Sequence, residues 1–404
     1  MKIQFLINSL TSGGAERVAV NLFNNLSKEH SIYFYTILKD KYYKLNKNIK
    51  YESLTIISEN NGNILFFIAI TISFFIYLFK TLKNKPDLLI SFLEISNFLN
   101  IMAGKLVKTK TIISVRTNPL LMYPNNTLYG KYHNLLIKLL YPRADKVIVV
   151  SKEIENILIK CYKIPKGNIK TIYNPHDINL YLKLSKEPFE DVYKELFEDS
   201  FVFINIGRLT EAKGQWFLIR AFKKVVDNYP NTKLIILGEG ELRGKLEELI
   251  NKLNLQNNVY LLGLQSNPFK FLKHSHCFVF PSLWEGFPNV LVESLSLNIP
   301  VISTDCKTGP REILCPEIDI DEDINYPYYG KYGILTKPFP REMIFKSLNE
   351  KPLIDEENML ADLMINIIEN EELRKRYSNG LERALDFNVD NIINEWEKLF
   401  KEIL

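Results

Sequence analysis

The sequence predicts an α/β protein made of two doubly wound, Rossmann-like halves. Three observations carry this. Apolar runs of strand length alternate with amphipathic helical stretches, the mark of parallel sheets covered by helices. The alternation lapses at 172–191 ("IYNPHDINLYLKLSKEPFED") and then restarts. The chain has 404 residues, more than a single core of about 250–300 residues usually organises. The predicted domains are 1–182 and 183–387, with a C-terminal amphipathic helix (about 388–404, "NVDNIINEWEKLFKEIL") expected to pack on the first.

The first half opens with "KIQFLIN", a Gly-containing turn over Ser9–Gly14 and the helical "AERVAVNLFNNL". Strand, turn and helix in that order begin a βα unit. Further strands are expected at 87–93, 111–116 and 146–151. The second half restarts with "FVFINIG" (201–207), the turn "LTEAKG" and the helix "QWFLIRAFKKVVDNY". Later strands are expected at 232–240, 258–264, 276–282 and 299–305. Residues 316–340 read as a Pro/Tyr/acidic insertion whose Asp319, Asp321 and Asp323 form a surface loop, because hard cations with phosphates sit at strand-to-helix turns.

The composition, 46% hydrophobic and 24% charged, is that of a globular protein. Four cysteines (Cys161, Cys277, Cys306, Cys315) form no CxxC pair, which argues against a zinc site or disulfide framework and for a reducing compartment. The N-terminus reads as a strand, not as a signal peptide. The net charge of +4 hides an asymmetry: residues 1–182 hold 24 Lys/Arg and 11 Asp/Glu (+13), leaving 27 and 36 (−9) for the rest. A basic half suits phosphates, nucleic acids or anionic lipid surfaces.

In an open parallel sheet, ligands bind at the carboxyl ends of strands, where helix N-termini hold anions. Arg208 and Lys213 follow "FVFINIG"; a planar fork and a mobile point charge beside a helix start suit a diphosphate, though solvated loop cations would read the same. Gly238, Gly240 and Gly244 follow the next strand. Their last spacing is one residue too long for a dinucleotide fingerprint, but Gly238 permits close backbone approach to a ligand. After "HCFVFPS" comes "SLWEGFPNVLVES". Phe287, Pro288 and Asn289 are expected to start a helix whose amides (Phe287, Asn289, Val290) point at an anion. Glu293, in the second turn, suits a ribose diol. Glu285, ahead of the helix, faces what lies beyond the phosphates. The alternative is that both glutamates complement the helix dipole.

"SLWEGFPNVLVES", with two glutamates eight apart, resembles the signature of family-4 retaining glycosyltransferases of the GT-B fold. "GRLTEAKG" resembles their phosphate-binding element, "SLTSGGAERVAVNL" their first Gly-rich turn, and "TDCKTGPREIL" a further recurring segment. The resemblance implies two domains facing across a cleft, acceptor on the first and nucleotide-sugar on the second. It implies that Arg208 and Lys213 hold the donor diphosphate, Glu293 the ribose and Glu285 the donor sugar. Gly13 and Gly14 would close on the phosphates, and the backbone near Gly263 and Leu264 would meet the base. It implies no cofactor and no metal, since cations and helix amides neutralise the leaving diphosphate, and front-face attack assisted by that leaving group. One departure stands out. Many relatives carry a histidine after the strand that here reads "TIISVRTNP", where this chain has Arg116, Thr117 and Asn118. Arg116 suits phosphate or acceptor, and Asn118 stands beside it; Arg116 is no general base. His133 is read as a surface or packing residue and His176 as a hinge or packing residue.

"ILFFIAITISFFIYLF" (64–79) runs 16 residues without a charge, about 24 Å of helix against a hydrocarbon core of about 30 Å. A buried helix, an interfacial helix and a span are all compatible with this text; the basic first half favours the interface. The expectation is a cytoplasmic, peripheral (monotopic) enzyme on the inner face of the cell membrane. It would move a hexosyl or N-acetylhexosaminyl group from a nucleotide-sugar, a UDP-sugar foremost, to a lipid-linked or polysaccharide acceptor. No nucleic acid partner is expected. The alternatives are a non-catalytic membrane-associated nucleotide-sugar-binding subunit, an NAD-dependent dehydrogenase, and an epimerase or sucrose-type synthase of the same fold.

Overall fold

The computed structural model describes residues 1–11 and 13–404, without the side chains of Asn60, Asn63 and Asp191; Ser12, in the first Gly-rich turn, lies outside the described residues. The chain forms two compact units, Met1–Pro175 with Val389–Leu404, and His176–Asn388. The division falls at Pro175/His176, not at 182/183, because helix Ile178–Leu184 belongs wholly to the second unit, where Asn267 donates to its Leu184 carbonyl.

The first unit holds β1 (Lys2–Ile7), β2 (Ser31–Thr36), β3 (Lys50–Ser53), β4 (Leu88–Phe92), β5 (Lys110–Val115), β6 (Lys146–Val149) and β7 (Ile169–Thr171). They form one parallel sheet in the order β3-β2-β1-β4-β5-β6-β7. The strand order reverses between β1 and β4, the switch point at which open α/β sheets bind ligands. Helix Gly14–Leu26 and the C-terminal helix Val389–Ile403 share one core with the sheet: Val18, Leu22 and Phe23 pack with Ile392, Trp396, Leu399 and Phe400 around Phe5, Phe34 and Phe92. His30 Nε2 lies 2.6 Å from Glu397 Oε1 and ties the same helix down. A second core holds helix Asn63–Asn84 against Leu6, Tyr35 and Leu89.

The second unit holds β8 (Phe201–Ile206), β9 (Thr232–Leu237), β10 (Val259–Gly263), β11 (Cys277–Phe280), β12 (Val301–Thr304), β13 (Tyr328–Tyr329) and β14 (Ile334–Thr336), in the order β10-β9-β8-β11-β12-β14-β13. Its pairs are parallel except β13 with β14. The acidic segment 316–340 is therefore more than a surface insertion, since it supplies two strands. Its Ile320 and Glu322 carbonyls accept from Arg311, whose guanidinium also pairs with Asp305. The core of this unit encloses an ion pair: Arg220 Nε donates to Glu357 at 2.7 Å with both side chains fully buried. Nη1 donates to the Lys346 carbonyl, and Nη2 to Glu357 Oε2 and the Lys351 and Pro352 carbonyls, so the buried charge has several acceptors around it.

Candidate active site

In the second unit the turns after β8, β9 and β11 meet at the carboxyl edge. Gly214, at φ 60°, lies so close to Pro281 that a Cβ would stand 2.4 Å from its carbonyl oxygen. Leu283 N donates to Ala212 O at 2.8 Å. These contacts carry Lys213 to Glu285: Lys213 Nζ donates to Glu285 Oε1 at 2.5 Å, with the side chains 19% and 12% exposed. Lys213 also stands 5.6 Å over the Phe280 ring. Arg208 is exposed at the end of β8, and its side chain makes no hydrogen bond or ion pair among the described residues. Two cations and one carboxylate thus stand together, one cation engaged and one facing solvent.

Glu285 is fixed by its backbone. Its N–H donates to Lys307 O at 2.8 Å, and its carbonyl accepts from Thr308 N–H. Thr308 Oγ1, fully buried, lies 2.6 Å from Gly286 O and 3.0 Å from Glu285 O. Gln215, first residue of helix Gln215–Asn228, donates from Nε2 to Arg208 O at 3.1 Å. Spacing along the chain did not single out Thr308 or Gln215. Thr308 lies inside "TDCKTGPREIL", which the family resemblance did mark.

Helix Asn289–Ser296 begins two residues after the expected start at Phe287: Pro288 is its N-cap, and Leu291 N makes the first turn's bond to Pro288 O. Phe287 is therefore outside the helix, packed on Phe387 at 5.4 Å. Asn289 and Val290 are at the helix start and half-buried; Glu293 is one turn on and 2% exposed. Gly238 has a close neighbour of its own. At φ 143° it faces Gly207, whose carbonyl oxygen a Cβ would approach to 2.0 Å. The glycine is needed by a neighbouring turn of the chain itself. Its N–H donates to Gly263 O at 2.8 Å, which sets Gly263 and the exposed Leu264 beside it.

In the first unit, Gly13 is the N-cap and Gly14 the first residue of helix Gly14–Leu26, at the carboxyl end of β1. Arg116, after β5, is buried over the Phe92 ring at 4.7 Å, with Asn174 and Ser114 as hydrogen-bond partners. Burial draws its pKa down to about 9, against the opposing pull of Glu16. It still carries its charge at neutral pH. Asn118 uses its amide oxygen to cap the short helix Pro119–Met122 through Leu120 N. His133 is buried and stacked on Tyr123 at 4.4 Å, and His176 is buried beside Tyr181, both within packed aromatic groups. A carboxylate that sequence reasoning missed also lies here. Glu94 follows β4 and is buried, with Thr117 Oγ1 3.4 Å from Oε1. Leu93 before it has φ 74° and ψ 150°, a region that costs a side-chain-bearing residue about 1–3 kcal/mol.

Two doubly wound units, the second with a cation–carboxylate pair at the carboxyl edge of its strands, define a two-domain α/β protein of the open parallel-sheet class. Residues 12–180 match the model of Glycosyltransferase Family 4, and residues 187–319 that of Glycosyl transferases group 1. An uncharacterized glycosyltransferase of Methanocaldococcus jannaschii is 60% identical over 78% of this chain and 80% of its own length. The N-acetylgalactosamine-N,N'-diacetylbacillosaminyl-diphospho-undecaprenol 4-alpha-N-acetylgalactosaminyltransferase of Campylobacter jejuni is 30% identical over 94% of this chain and 93% of its own. HepE of Anabaena, solved in complex with UDP, superposes with a TM-score of 0.75 over 100% of both chains at 20% identity, a likeness of fold. The chain belongs to the family-4 glycosyltransferases of the GT-B fold.

Proposed function

We propose that the chain is a retaining, metal-independent transferase that moves a hexosyl or N-acetylhexosaminyl group from a UDP-sugar to a lipid-linked or polysaccharide acceptor. The observation that carries this reading is the Lys213–Glu285 pair beside the exposed Arg208 and the start of helix Asn289–Ser296. Donor binding exchanges partners: the diphosphate takes Arg208 and Lys213, which frees Glu285 for the donor sugar. Glu293 takes the ribose hydroxyls and the Gly263–Leu264 backbone the base. The bond from the anomeric carbon to the diphosphate oxygen breaks, and one to the acceptor oxygen forms on the same face. The acceptor proton passes to the leaving diphosphate. Arg116 offers its buried charge to an anionic acceptor, with Asn118 shaping the turn beside it.

The relative named above acts on a diphospho-undecaprenol-linked sugar, which supports a lipid-linked acceptor here. A membrane-facing surface supports it too. Helix Asn63–Asn84 is 22 residues, longer than its uncharged run, and about 33 Å at 1.5 Å per residue. It is not the buried helix that was one of the compatible placements: Ile64, Phe67, Ile68, Ile72, Phe75, Phe79 and Leu82 are exposed along one stripe. Helix Leu128–Leu140 adds Leu128, Tyr132, Leu135 and Leu139 at helical spacing, and helix Glu94–Val107 packs against both. We assign this layer to the cytoplasmic face of the membrane, with the enzyme seated peripherally.

The test is nucleotide release from UDP- and GDP-sugars with EDTA present, for wild type, Glu285→Ala and Arg208→Ala. The expected outcome is release that survives EDTA and falls about 10²–10³-fold in each variant, the loss usual for one removed charge-stabilising group. Nucleotide binding without release under any donor would favour a non-catalytic binding subunit, and absence of both would overturn the nucleotide-sugar reading.

A further inference from the structure

The last turn of helix Asn63–Asn84 meets the β2–β3 edge of the first sheet around a cavity of about 210 Å³. Its lining includes Lys50, Lys80, Lys83, Tyr33, Tyr35 and Glu52. Glu52 is already engaged, accepting from Lys80 Nζ at 2.6 and 2.8 Å. Lys50 Nζ has a neutral partner, the Tyr33 hydroxyl at 3.2 Å, and stands 4.6 Å over that ring. Lys83 is exposed and makes no ion pair among the described residues. Three lysines against one glutamate leave two positive charges uncompensated around a small cavity lined by phenols.

The cavity is not part of the transferase site. Lys50 is the first residue of β3, and Lys83 leads toward the start of β4, so the lysines lie toward the amino-terminal ends of strands. Gly13, Glu94 and Arg116 follow the carboxyl ends of β1, β4 and β5. The volume lies below the roughly 300–1,000 Å³ of sites that enclose a whole drug-sized ligand, so it suits a compact anion. On the same helix, exposed Phe79 stands one turn before Lys83, and exposed Phe75 one turn before Phe79, with exposed Leu82 on the same stripe. An apolar stripe continuous with an uncompensated cationic cavity is complementary to a molecule with an anionic head and an apolar tail.

We infer that this cavity is a binding site for the phosphate headgroup of an anionic phospholipid, whose acyl chains lie along Phe75, Phe79 and Leu82. The inference rests on the membrane reading above and adds lipid selectivity to it. The phosphate sits between Lys50 and Lys83, with the Tyr33 and Tyr35 hydroxyls as further donors. Attachment then depends on the anionic lipid content of the bilayer.

The test is sedimentation of the full chain with phosphatidylcholine vesicles, and with vesicles in which part of that lipid is phosphatidylglycerol. The wild type is expected to bind both and to prefer the anionic vesicles. Lys50→Gln/Lys83→Gln should lose about thirtyfold of that preference, the weight of two lysines at an anionic surface, and keep its affinity for phosphatidylcholine. Lys163→Gln/Lys166→Gln, which removes the same charge from exposed positions elsewhere in the unit, should lose much less. Equal loss in both variants would overturn the site in favour of a general basic field. Equal binding to both vesicle types would overturn it while leaving the membrane reading intact. No binding to either vesicle would overturn the membrane reading and the lipid site together. Inorganic phosphate or glycerol phosphate that stabilises wild type but not Lys50→Gln/Lys83→Gln, with no preference for anionic vesicles, would make the site one for a soluble anion.

Discussion

The two units share a sheet order through their first four strands, with β3-β2-β1-β4 matching β10-β9-β8-β11, yet their surfaces differ. The first unit leaves a layer of large apolar side chains in solvent, from Ile64 to Leu139. The second exposes scattered ones, such as Val192, Met343 and Leu385, as any globular surface does. The first holds 26 Lys/Arg against 14 Asp/Glu, a balance of +12; the second is acidic at −8 and carries the Lys213–Glu285 pair, with Arg208 after β8 and Glu293 in helix Asn289–Ser296. One topology therefore carries two different surfaces. The strand order fixes where the carboxyl edges of the strands lie, and the outer helices decide how much apolar area each unit leaves in solvent.

The interiors differ as well, and that difference gives the largest expected effect. The second core is locked by Arg220 and Glu357, both fully buried. Glu357→Gln leaves the guanidinium charge buried without its counter-charge, so a loss of about 3–5 kcal/mol is expected. Denaturant titration that follows Trp216 and Trp284 of the second unit apart from Trp396 of the first should show the early transition in the second unit. A variant as stable as wild type would mean that this pair does not set the unit's stability.

The next effect tests the surfaces. Phe67 and Phe75 are 70% and 64% exposed on the apolar stripe. Burying two such rings in a bilayer contributes about 3 kcal/mol or more, so Phe67→Asp/Phe75→Asp should bind vesicles roughly a hundredfold more weakly. Met343→Asp, on the second unit, should bind as wild type does. Equal vesicle binding by all three proteins would erase the contrast between the two surfaces.

Much of this was legible in the sequence because parallel strands buried on both faces read as apolar runs. β1, β4, β5, β6, β8, β9 and β12 all do. β3, "KYES", is an edge strand with no apolar alternation, and β7 has three residues, so neither left a signal. β14 was hidden in a segment whose acidic residues dominated its reading. At the site, charged residues after strands were readable because strand ends are. Thr308 was not: its work is a pair of bonds to the Glu285 turn, across 22 and 23 residues of chain. The contact that requires glycine at 238 was not legible for the same reason, since the nearby atom is the carbonyl of Gly207. Residue type and spacing report what a side chain can do. They do not report which neighbour has already claimed it.

The smallest effect separates the two ligand edges by their acids. In the first unit, burial pushes the Glu94 carboxyl above its usual range, opposed by hydrogen bonds from its own backbone, Thr117 and Tyr123. The folded chain then keeps a proton that the unfolded chain releases. Stability from this group is full below the unfolded pKa and is lost as pH rises through the raised folded value. Glu94→Gln holds its hydrogens throughout. Its melting temperature relative to wild type should therefore climb as pH rises above about 4, the ordinary carboxyl value. Glu285→Gln, which removes the partner of Lys213 at the edge of the second unit, is the comparison. A flat difference for Glu94→Gln would mean that the carboxylate at the β4 edge is already compensated, leaving Arg116 as the buried charge there.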